Sequence, residues 1–157
     1  MHTRTFVLSS VAAAALITLA ACSSSSSTAS PASGTSSSSS SSSSSGKITI
    51  GSDQANDHGT EDATGKATFE IEATNDSSGY FFKPTILQGS GGQSITLEIK
   101  NDGSVLHNFS ITSMNVNINI QPGASQEVKV TFPQTGTVEY FCSFHHALGM
   151  AGELSVA

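Results

Sequence analysis

The sequence predicts an all-β sandwich or barrel that follows a signal segment and an unstructured linker. Apolar residues alternate with polar ones in several short runs, which is typical of strands with one face in a core. Clusters of Gly, Pro, Asn and Asp separate these runs and predict turns. The same part of the chain has no run with the period of an amphipathic helix. Short strands joined by such turns indicate a sandwich or a barrel.

Residues 1–21 have the composition of a secretory signal peptide. A basic start is followed by the largely apolar run Phe6 to Ala21, which is too short to span a membrane comfortably. The segment ends in Leu19-Ala20-Ala21-Cys22, which resembles the bacterial lipoprotein box. We therefore predict lipid attachment at Cys22 and a protein anchored to the bacterial membrane outside the cytoplasm, on the periplasmic or cell-surface side. The alternative is ordinary cleavage near Ala21 with an incidental cysteine.

Residues 22–46 are predicted to form a flexible tether that begins at the lipidated cysteine. They are almost all Ser, Thr, Ala, Gly and Pro, with ten consecutive Ser from Ser36 to Ser45. A polar lead-in follows at residues 47–66, and it either adds an edge strand near Lys47 to Gly51 or lacks regular structure. Residues 67–157 form the predicted β domain, which is the size of a small sandwich.

The strands of this domain are read from rows of alternating apolar residues. The rows that share a predicted inward face are Phe69, Ile71 and Ala73; Ile95, Leu97 and Ile99; Val116, Ile118 and Ile120; and Val128, Val130 and Phe132. Val138, Tyr140 and Cys142 share one face of the next strand. Leu154 and Val156 then form a closing strand.

The charge balance excludes one class of partner. After Ala21 the chain has five Lys and no Arg against twelve acidic residues, a net charge of −7 with His neutral. A protein that binds nucleic acid through phosphates needs the opposite balance. We therefore expect no nucleic-acid partner.

Three soft or intermediate metal donors lie within nine residues near the C-terminus: Cys142, His145 and Met150. Thiolate and thioether ligands together with imidazole favour copper, which cycles between two oxidation states. Zinc sites use Cys, His, Asp and Glu but not Met. Cys142 also has no disulfide partner if Cys22 carries lipid, and metal ligation would explain an unpaired thiol in an exported domain.

A second histidine is needed to complete such a site, and His107 is the best candidate. It stands where a polar turn leads into a strand, on the inward parity of Phe109 and Ile111. His58 lies in a polar stretch and is interpreted as a solvated loop residue. His146 is the rival of His145 because it lies one residue later.

Several separate residues carry a family resemblance across most of Ala67 to Ala157. They are Phe82, Pro84 and Ile86 in an early strand; Asn101 and His107-Asn108 around the first histidine; Phe132, Gly136, Tyr140 and Cys142 before the last loop; and the Cys-x2-His-x4-Met spacing of Cys142, His145 and Met150. This set resembles the cupredoxin family of small blue copper proteins, in particular its plastocyanin-like branch. Phe144 departs from that branch, where Pro is common, and His146 replaces a small or amide side chain.

The resemblance implies a Greek-key β-sandwich with one type 1 copper ion per chain. Its ligands would be His107, Cys142 and His145, with Met150 as the long axial donor. The resemblance further implies that Asn108 and Ser143 join the two ligand loops. Electrons would enter through His145, beside a small apolar docking patch of Leu106, Ala147 and Leu148.

We therefore expect an electron-transfer protein that is not an enzyme. After one copper site only His58 and His146 remain as imidazole donors, too few for a second centre unless a homo-oligomer builds one between subunits. The expected partners are redox proteins or membrane electron-transfer complexes, and the chain is expected to be a monomer. The alternative function is an extracytoplasmic copper-binding, buffering or delivery protein without a carrier role.

Overall fold

The computed structural model describes residues 46–156, and this part of the chain is built from strands and two short 3-10 turns. The strands are β1 (Gly46–Ile50), β2 (Asp53–Asp57), β3 (Thr60–Asp62), β4 (Thr68–Asp76), β5 (Gly79–Lys83), β6 (Ile86–Gln88), β7 (Ser94–Asn101), β8 (His107–Ile111), β9 (Val116–Ile120), β10 (Ser125–Thr131), β11 (Gly136–Phe141) and β12 (Ala151–Val156). The 3-10 turns are Thr112–Met114 and His146–Leu148. The predicted signal segment, Cys22 and the Ser-rich run lie outside the described residues. Within 46–156 no helix has the length and apolarity needed to cross a membrane.

Two larger sheets form the sandwich. One has four strands in the order β10-β7-β4-β5, and the other has six in the order β3-β6-β12-β11-β8-β9. The pairs β4–β7, β6–β12 and β3–β6 are parallel, and the other pairs are antiparallel. The all-β fold class predicted from the alternating pattern is confirmed.

The core lies between these sheets and is made by the predicted inward rows. Ile71, Leu97 and Ile99 are fully buried, as are the aromatic rings of Phe82 and Tyr140. The Phe82 ring meets the Tyr140 ring edge-on, with centroids 5.3 Å apart. Each fully buried side chain of this size contributes about 1.5–3 kcal/mol to folding relative to an exposed one. Alternation of apolar and polar residues therefore determines which faces meet.

The polar lead-in is more ordered than its composition indicates. β1 and β2 form a two-stranded sheet, which we call the N-terminal hairpin, and β3 pairs in parallel with β6 at the edge of the six-stranded sheet. The hairpin has its own small apolar cluster, in which Ile50 and Ala55 are buried with Ala151 of β12. Few apolar residues suffice here because they pack against a strand of the main sandwich rather than forming a core by themselves.

The sheet order brings the predicted metal donors to one end of the sandwich. β12, β11 and β8 are neighbours, and both contacts are antiparallel. His107 opens β8, Cys142 follows the end of β11, and Met150 precedes β12. Because neighbouring antiparallel strands run in opposite directions, the start of β8, the end of β11 and the start of β12 lie at the same end of the sheet.

Candidate metal centre

The histidine and cysteine residues among the four predicted donors lie together at this end of the sheet. The candidate ligand atoms of His107, Cys142 and His145 are all within 4.8 Å of one another. The Cys142 Sγ and His145 Nδ1 atoms are 3.4 Å apart. His107 and Cys142 are fully buried, whereas His145 is partly exposed. The cluster is therefore closed on the protein side and reaches the surface through one imidazole.

The His107 imidazole has no other use among the described residues. Both of its ring nitrogens are buried, and neither has a hydrogen-bond partner in residues 46–156. Burial of the ring, with a smaller contribution from neighbouring His145, lowers the pKa of His107 to about 4. Burial also lowers the pKa of His145. Both imidazoles are therefore neutral at neutral pH, which is the form that binds metal.

This donor set fits a single metal ion. Zinc, a first-row ion, holds imidazole nitrogen at about 2.0 Å and thiolate sulfur at about 2.3 Å, so a nitrogen and a sulfur on one such ion lie up to about 4.3 Å apart. The 3.4 Å between Cys142 Sγ and His145 Nδ1 lies within this reach. An orphaned buried imidazole is costly, and a metal bond at one nitrogen would remove part of that cost. The thiol of Cys142 is buried and free, so it is available as the soft ligand that copper favours.

Backbone hydrogen bonds fold the C-terminal ligand loop, residues 142–150, into a compact turn. The His145 amide donates to the Cys142 carbonyl at 3.1 Å, and the Met150 amide donates to the His145 carbonyl at 3.2 Å. The Cys142 amide donates to the Met150 carbonyl at 3.0 Å. These bonds join the three predicted ligands of the loop directly, and the Met150 side chain is fully buried. The short spacing between these residues in the sequence thus corresponds to a closed, hydrogen-bonded loop.

Gly149 ends this turn in the left-handed region. Its φ is 93°, and its amide donates to the His146 carbonyl at 2.8 Å. A side chain at this position would be strained by the backbone conformation, and its Cβ would lie 2.9 Å from the Asn56 side-chain nitrogen. The glycine before Met150 is therefore required twice, by the turn and by the neighbouring hairpin.

The first ligand loop, residues 101–107, is shaped by a buried asparagine. The Asn101 side-chain amide donates to the carbonyls of Val105 and Ile120, and its oxygen accepts from the Gly103 amide. Gly103 lies so close to the imidazole that an added Cβ would be 2.8 Å from His107 Nε2. The loop thus closes over the His107 ring and keeps it from solvent.

Asn108 connects the two ligand loops. Its backbone amide lies 3.3 Å from Cys142 Sγ and donates to it, and its side-chain oxygen accepts from the Ser143 amide at 3.2 Å. Asn108 alternates with the inward-facing His107 and Phe109, and yet it is buried, as are all five residues of β8. Burial is tolerated because the Asn108 side-chain amide donates to Asn117, to the Ile118 carbonyl and to Asn119.

Tyr80 is a site residue that the sequence interpretation missed. Its ring stacks on the His145 imidazole, with centroids 4.1 Å apart and planes 14° apart, and lies edge-on to His107 at 6.3 Å. A signal was present, because Tyr80 has the same strand parity as Phe82, which packs in the core. Its distance in sequence from the ligands hid the contact.

The remaining predicted residues fall outside the donor cluster. His146 turns away from His145 and lies 3.2 Å from a carboxylate oxygen of Glu139. His58 lies between β2 and β3, and its ring stacks on Phe81 with centroids 3.3 Å apart. It is thus half-buried against an aromatic ring rather than solvated, because the hairpin brings it over β5.

The three residues of the predicted docking patch lie on the two ligand loops. Ala147 and Leu148 are exposed, with 54% of Leu148 accessible, whereas Leu106 is half-buried. Phe144, which was not part of the prediction, is 51% accessible and lies edge-on to the His145 ring at 6.3 Å. The two most exposed large apolar residues of the described chain thus lie on the C-terminal ligand loop.

Comparison with known proteins agrees with this architecture. A plastocyanin A/B from Petroselinum crispum is 30% identical over 97 residues, covering 55% of this chain and 98% of that protein. The solved structure of auracyanin B has a TM-score of 0.50 at 22% identity, over 60% of this chain and 89% of that one. A reduced auracyanin from Roseiflexus castenholzii has a TM-score of 0.49 at 22% identity, over 59% and 98%. The family model of the cupredoxin-like domain matches residues 12–156, and the chain therefore belongs to the cupredoxin family.

Proposed function

We propose that this protein is a type 1 blue copper electron carrier. One copper ion would be held by His107, Cys142 and His145, with Met150 as a weak axial ligand. The observation that carries the proposal is the His-Cys-His cluster, in which the buried His107 imidazole, without a hydrogen-bond partner in residues 46–156, lies beside the free thiol of Cys142. The sequence similarity to a plastocyanin and the fold similarity to auracyanin B also support the proposal.

Copper would supply the one-electron redox step, and the chain's own residues would keep that step fast. Fast electron transfer needs donors that barely move between the two oxidation states. His107 is enclosed by the first ligand loop, and Cys142 accepts a hydrogen bond from the Asn108 amide. The backbone bonds among Cys142, His145 and Met150 restrain the remaining donors. Together these contacts exclude water and fix donor positions before metal binds.

Electrons would enter and leave through His145. It is the only one of the three clustered donors that is not fully buried. Leu148 and Phe144 expose apolar surface beside it, and Ala147 is also accessible. Such a small apolar patch suits a redox protein partner, because electron-transfer encounters are brief and bury little surface.

The N-terminal sequence supports a site of action at a membrane surface outside the cytoplasm. Lipid attachment at Cys22 followed by the Ser-rich tether would keep the domain near redox partners in or on the membrane. A tether of about 24 residues reaches about 25–30 Å on average as a random coil. The domain would then exchange electrons with membrane complexes without leaving the surface.

The proposal is tested by loading the purified full chain with Cu(II) and recording its visible spectrum and voltammetry. An intense thiolate charge-transfer band with reversible one-electron cycling is the expected result. A complex without colour, or one from which a chelator removes copper within minutes, would contradict the carrier role. The second of these outcomes would favour copper buffering or delivery instead.

A further inference from the structure

The N-terminal hairpin contacts the metal centre through one buried side chain, Asn56. This residue lies on β2, in the segment that precedes the sandwich strands, and only 9% of it is accessible. Its side-chain nitrogen donates to the Tyr80 carbonyl at 2.8 Å and to the Leu148 carbonyl at 3.0 Å. Its backbone amide donates to the Gly149 carbonyl at 2.9 Å. One residue thus binds both segments that flank His145.

Each of these contacts restrains a group beside a predicted ligand. Tyr80 is the residue whose ring stacks on the His145 imidazole. Leu148 and Gly149 form the end of the C-terminal ligand loop, immediately before Met150. Both hydrogens of the Asn56 side-chain amide are used, and its oxygen accepts from Lys47 at 3.0 Å. The amide is therefore fully satisfied, and a fully satisfied buried polar group fixes the segments that it joins.

The hairpin itself is held in place at two further points. Ile50 and Ala55 are buried against Ala151, the residue that follows Met150. At the other side Asp53 of β2 lies 3.6 Å from the His146 imidazole. The packing against Ala151 therefore attaches the segment that carries Asn56 to the sandwich independently of its contacts with the ligand loop.

We propose that Asn56 is a positioning residue for the copper centre. It holds the Tyr80 ring against His145 and fixes the Leu148–Gly149 end of the ligand loop, so that the donors keep their places whether or not metal is bound. This inference rests on the proposed copper function for its effect on the metal. Its effect on the loop is independent of that function. A domain without the hairpin would have to restrain the loop in another way.

The test compares two substitutions of Asn56 with a control on the same strand. Asn56→Ala removes the amide, and Asn56→Asp keeps its volume but replaces the donating nitrogen with oxygen. Gln54→Ala is the matched control, because Gln54 is exposed and bonds only Thr49 of the hairpin among the described side-chain contacts. All variants are made in the full chain, and their unfolding midpoints are recorded to confirm folding.

The first measurement is amide hydrogen exchange of the metal-free chain. Loss of two ordinary hydrogen bonds should speed exchange in residues 145–150 by about tenfold in Asn56→Ala and in Asn56→Asp. Gln54→Ala should leave these amides unchanged. Equal exchange in all three variants would overturn the proposal. If Asn56→Ala fails to fold, Asn56→Asp alone decides the question. If Asn56 acted only through packing, Asn56→Asp would exchange at the wild-type rate.

The second measurement is made on the copper-loaded chain. Both Asn56 variants should release copper to a chelator about tenfold faster than Gln54→Ala and should shift the position or relative intensity of the visible bands. Wild-type colour and release rates in both Asn56 variants would overturn the positioning role. A wild-type chain that gives no thiolate colour would instead refute the proposed function, while the exchange data would still test Asn56.

Discussion

Residues 46–156 contain two clusters of three candidate donor residues, and the two clusters differ in burial and in hydrogen bonding. In the first, the donors of His107, Cys142 and His145 lie within 4.8 Å of one another. In the second, the donors of Asp53, Glu139 and His146 meet the same distance limit. Proximity alone therefore does not distinguish them.

Burial and hydrogen bonding separate the two clusters. His107 and Cys142 are fully buried, and the His107 nitrogens have no partner among residues 46–156. In the second cluster, His146 already has a carboxylate partner at 3.2 Å, and about one third of its side chain is accessible. A donor that is buried and unsatisfied gains much from a metal ion, whereas an exposed and paired donor gains little. The first cluster is thus the copper candidate, and the second is a polar cluster at the surface.

The largest effect is expected from a substitution that removes a donor of the first cluster. Cys142→Ser removes the thiolate and should abolish the intense visible band of the copper-loaded protein completely, because that band arises from thiolate-to-copper charge transfer. His146→Ala is the control from the second cluster and should keep the band while changing the unfolding free energy by less than about 1 kcal/mol. Absorption spectra of both variants check this prediction. Colour in Cys142→Ser would show that another residue is the soft ligand.

The next-largest effect is expected from the loss of the buried hydrogen bonds of Asn108 beside the first cluster. Asn108→Ala should lower the unfolding free energy by about 2–4 kcal/mol, because it leaves several buried hydrogen-bonding groups without a partner. Asn117→Ala, which removes one exposed acceptor of the same network, should cost less than about 1 kcal/mol. Denaturant unfolding of the metal-free chain measures both changes. Similar losses of unfolding free energy in the two variants would mean that the buried position of Asn108 does not increase its contribution to stability.

The sequence predicted the sandwich and the donors because both depend on local information. Alternation is visible within a single strand, as in Ile95, Leu97 and Ile99, and the Cys142 to Met150 spacing lies within one loop. Tyr80 and Asn56 were missed because they reach the ligand loop from distant segments. Their contacts depend on how sheets and hairpin pack, which no local period records. The burial of Asn108 likewise leaves no local signal, since its side-chain amide finds its partners on β9.

Acid should weaken the metal-free protein through the first cluster. Burial lowers the pKa of His107 from 6.5 to about 4 and lowers that of His145 as well. Between pH values of about 4 and 6.5, His107 binds more protons in the unfolded chain than in the folded chain. The free energy of unfolding therefore rises with pH in this range and reaches its full value above about pH 6.5. Unfolding free energies should therefore fall between about pH 7 and pH 5.

Substitution shows whether His107 causes this fall. His107→Gln should make the pH dependence shallower over the same window, because the neutral amide does not take up a proton. His146→Gln is the matched control from the second cluster. An equally steep fall in His107→Gln would contradict the assignment of the acid sensitivity to His107.

The smallest effect concerns the surface beside His145. Leu148→Glu should slow electron self-exchange between two copies of the copper protein by about three- to tenfold, since like charges would meet at the docking patch. Gln126→Glu adds the same charge on the exposed face of β10 and should change the rate much less. Nuclear magnetic resonance line widths of mixed oxidation states give the rate. Equal slowing in both variants would argue against docking at Leu148.

Titration of the metal-free full chain with Cu(II) tests the central claim most directly. The thiolate band should grow linearly and saturate at one equivalent of copper, because His107, Cys142 and His145 form the only donor cluster within residues 46–156 that contains a thiol. Chemical reduction should then bleach the band, and reoxidation should restore it. Absence of the band, or growth that continues to two equivalents, would contradict a single type 1 copper site in this protein.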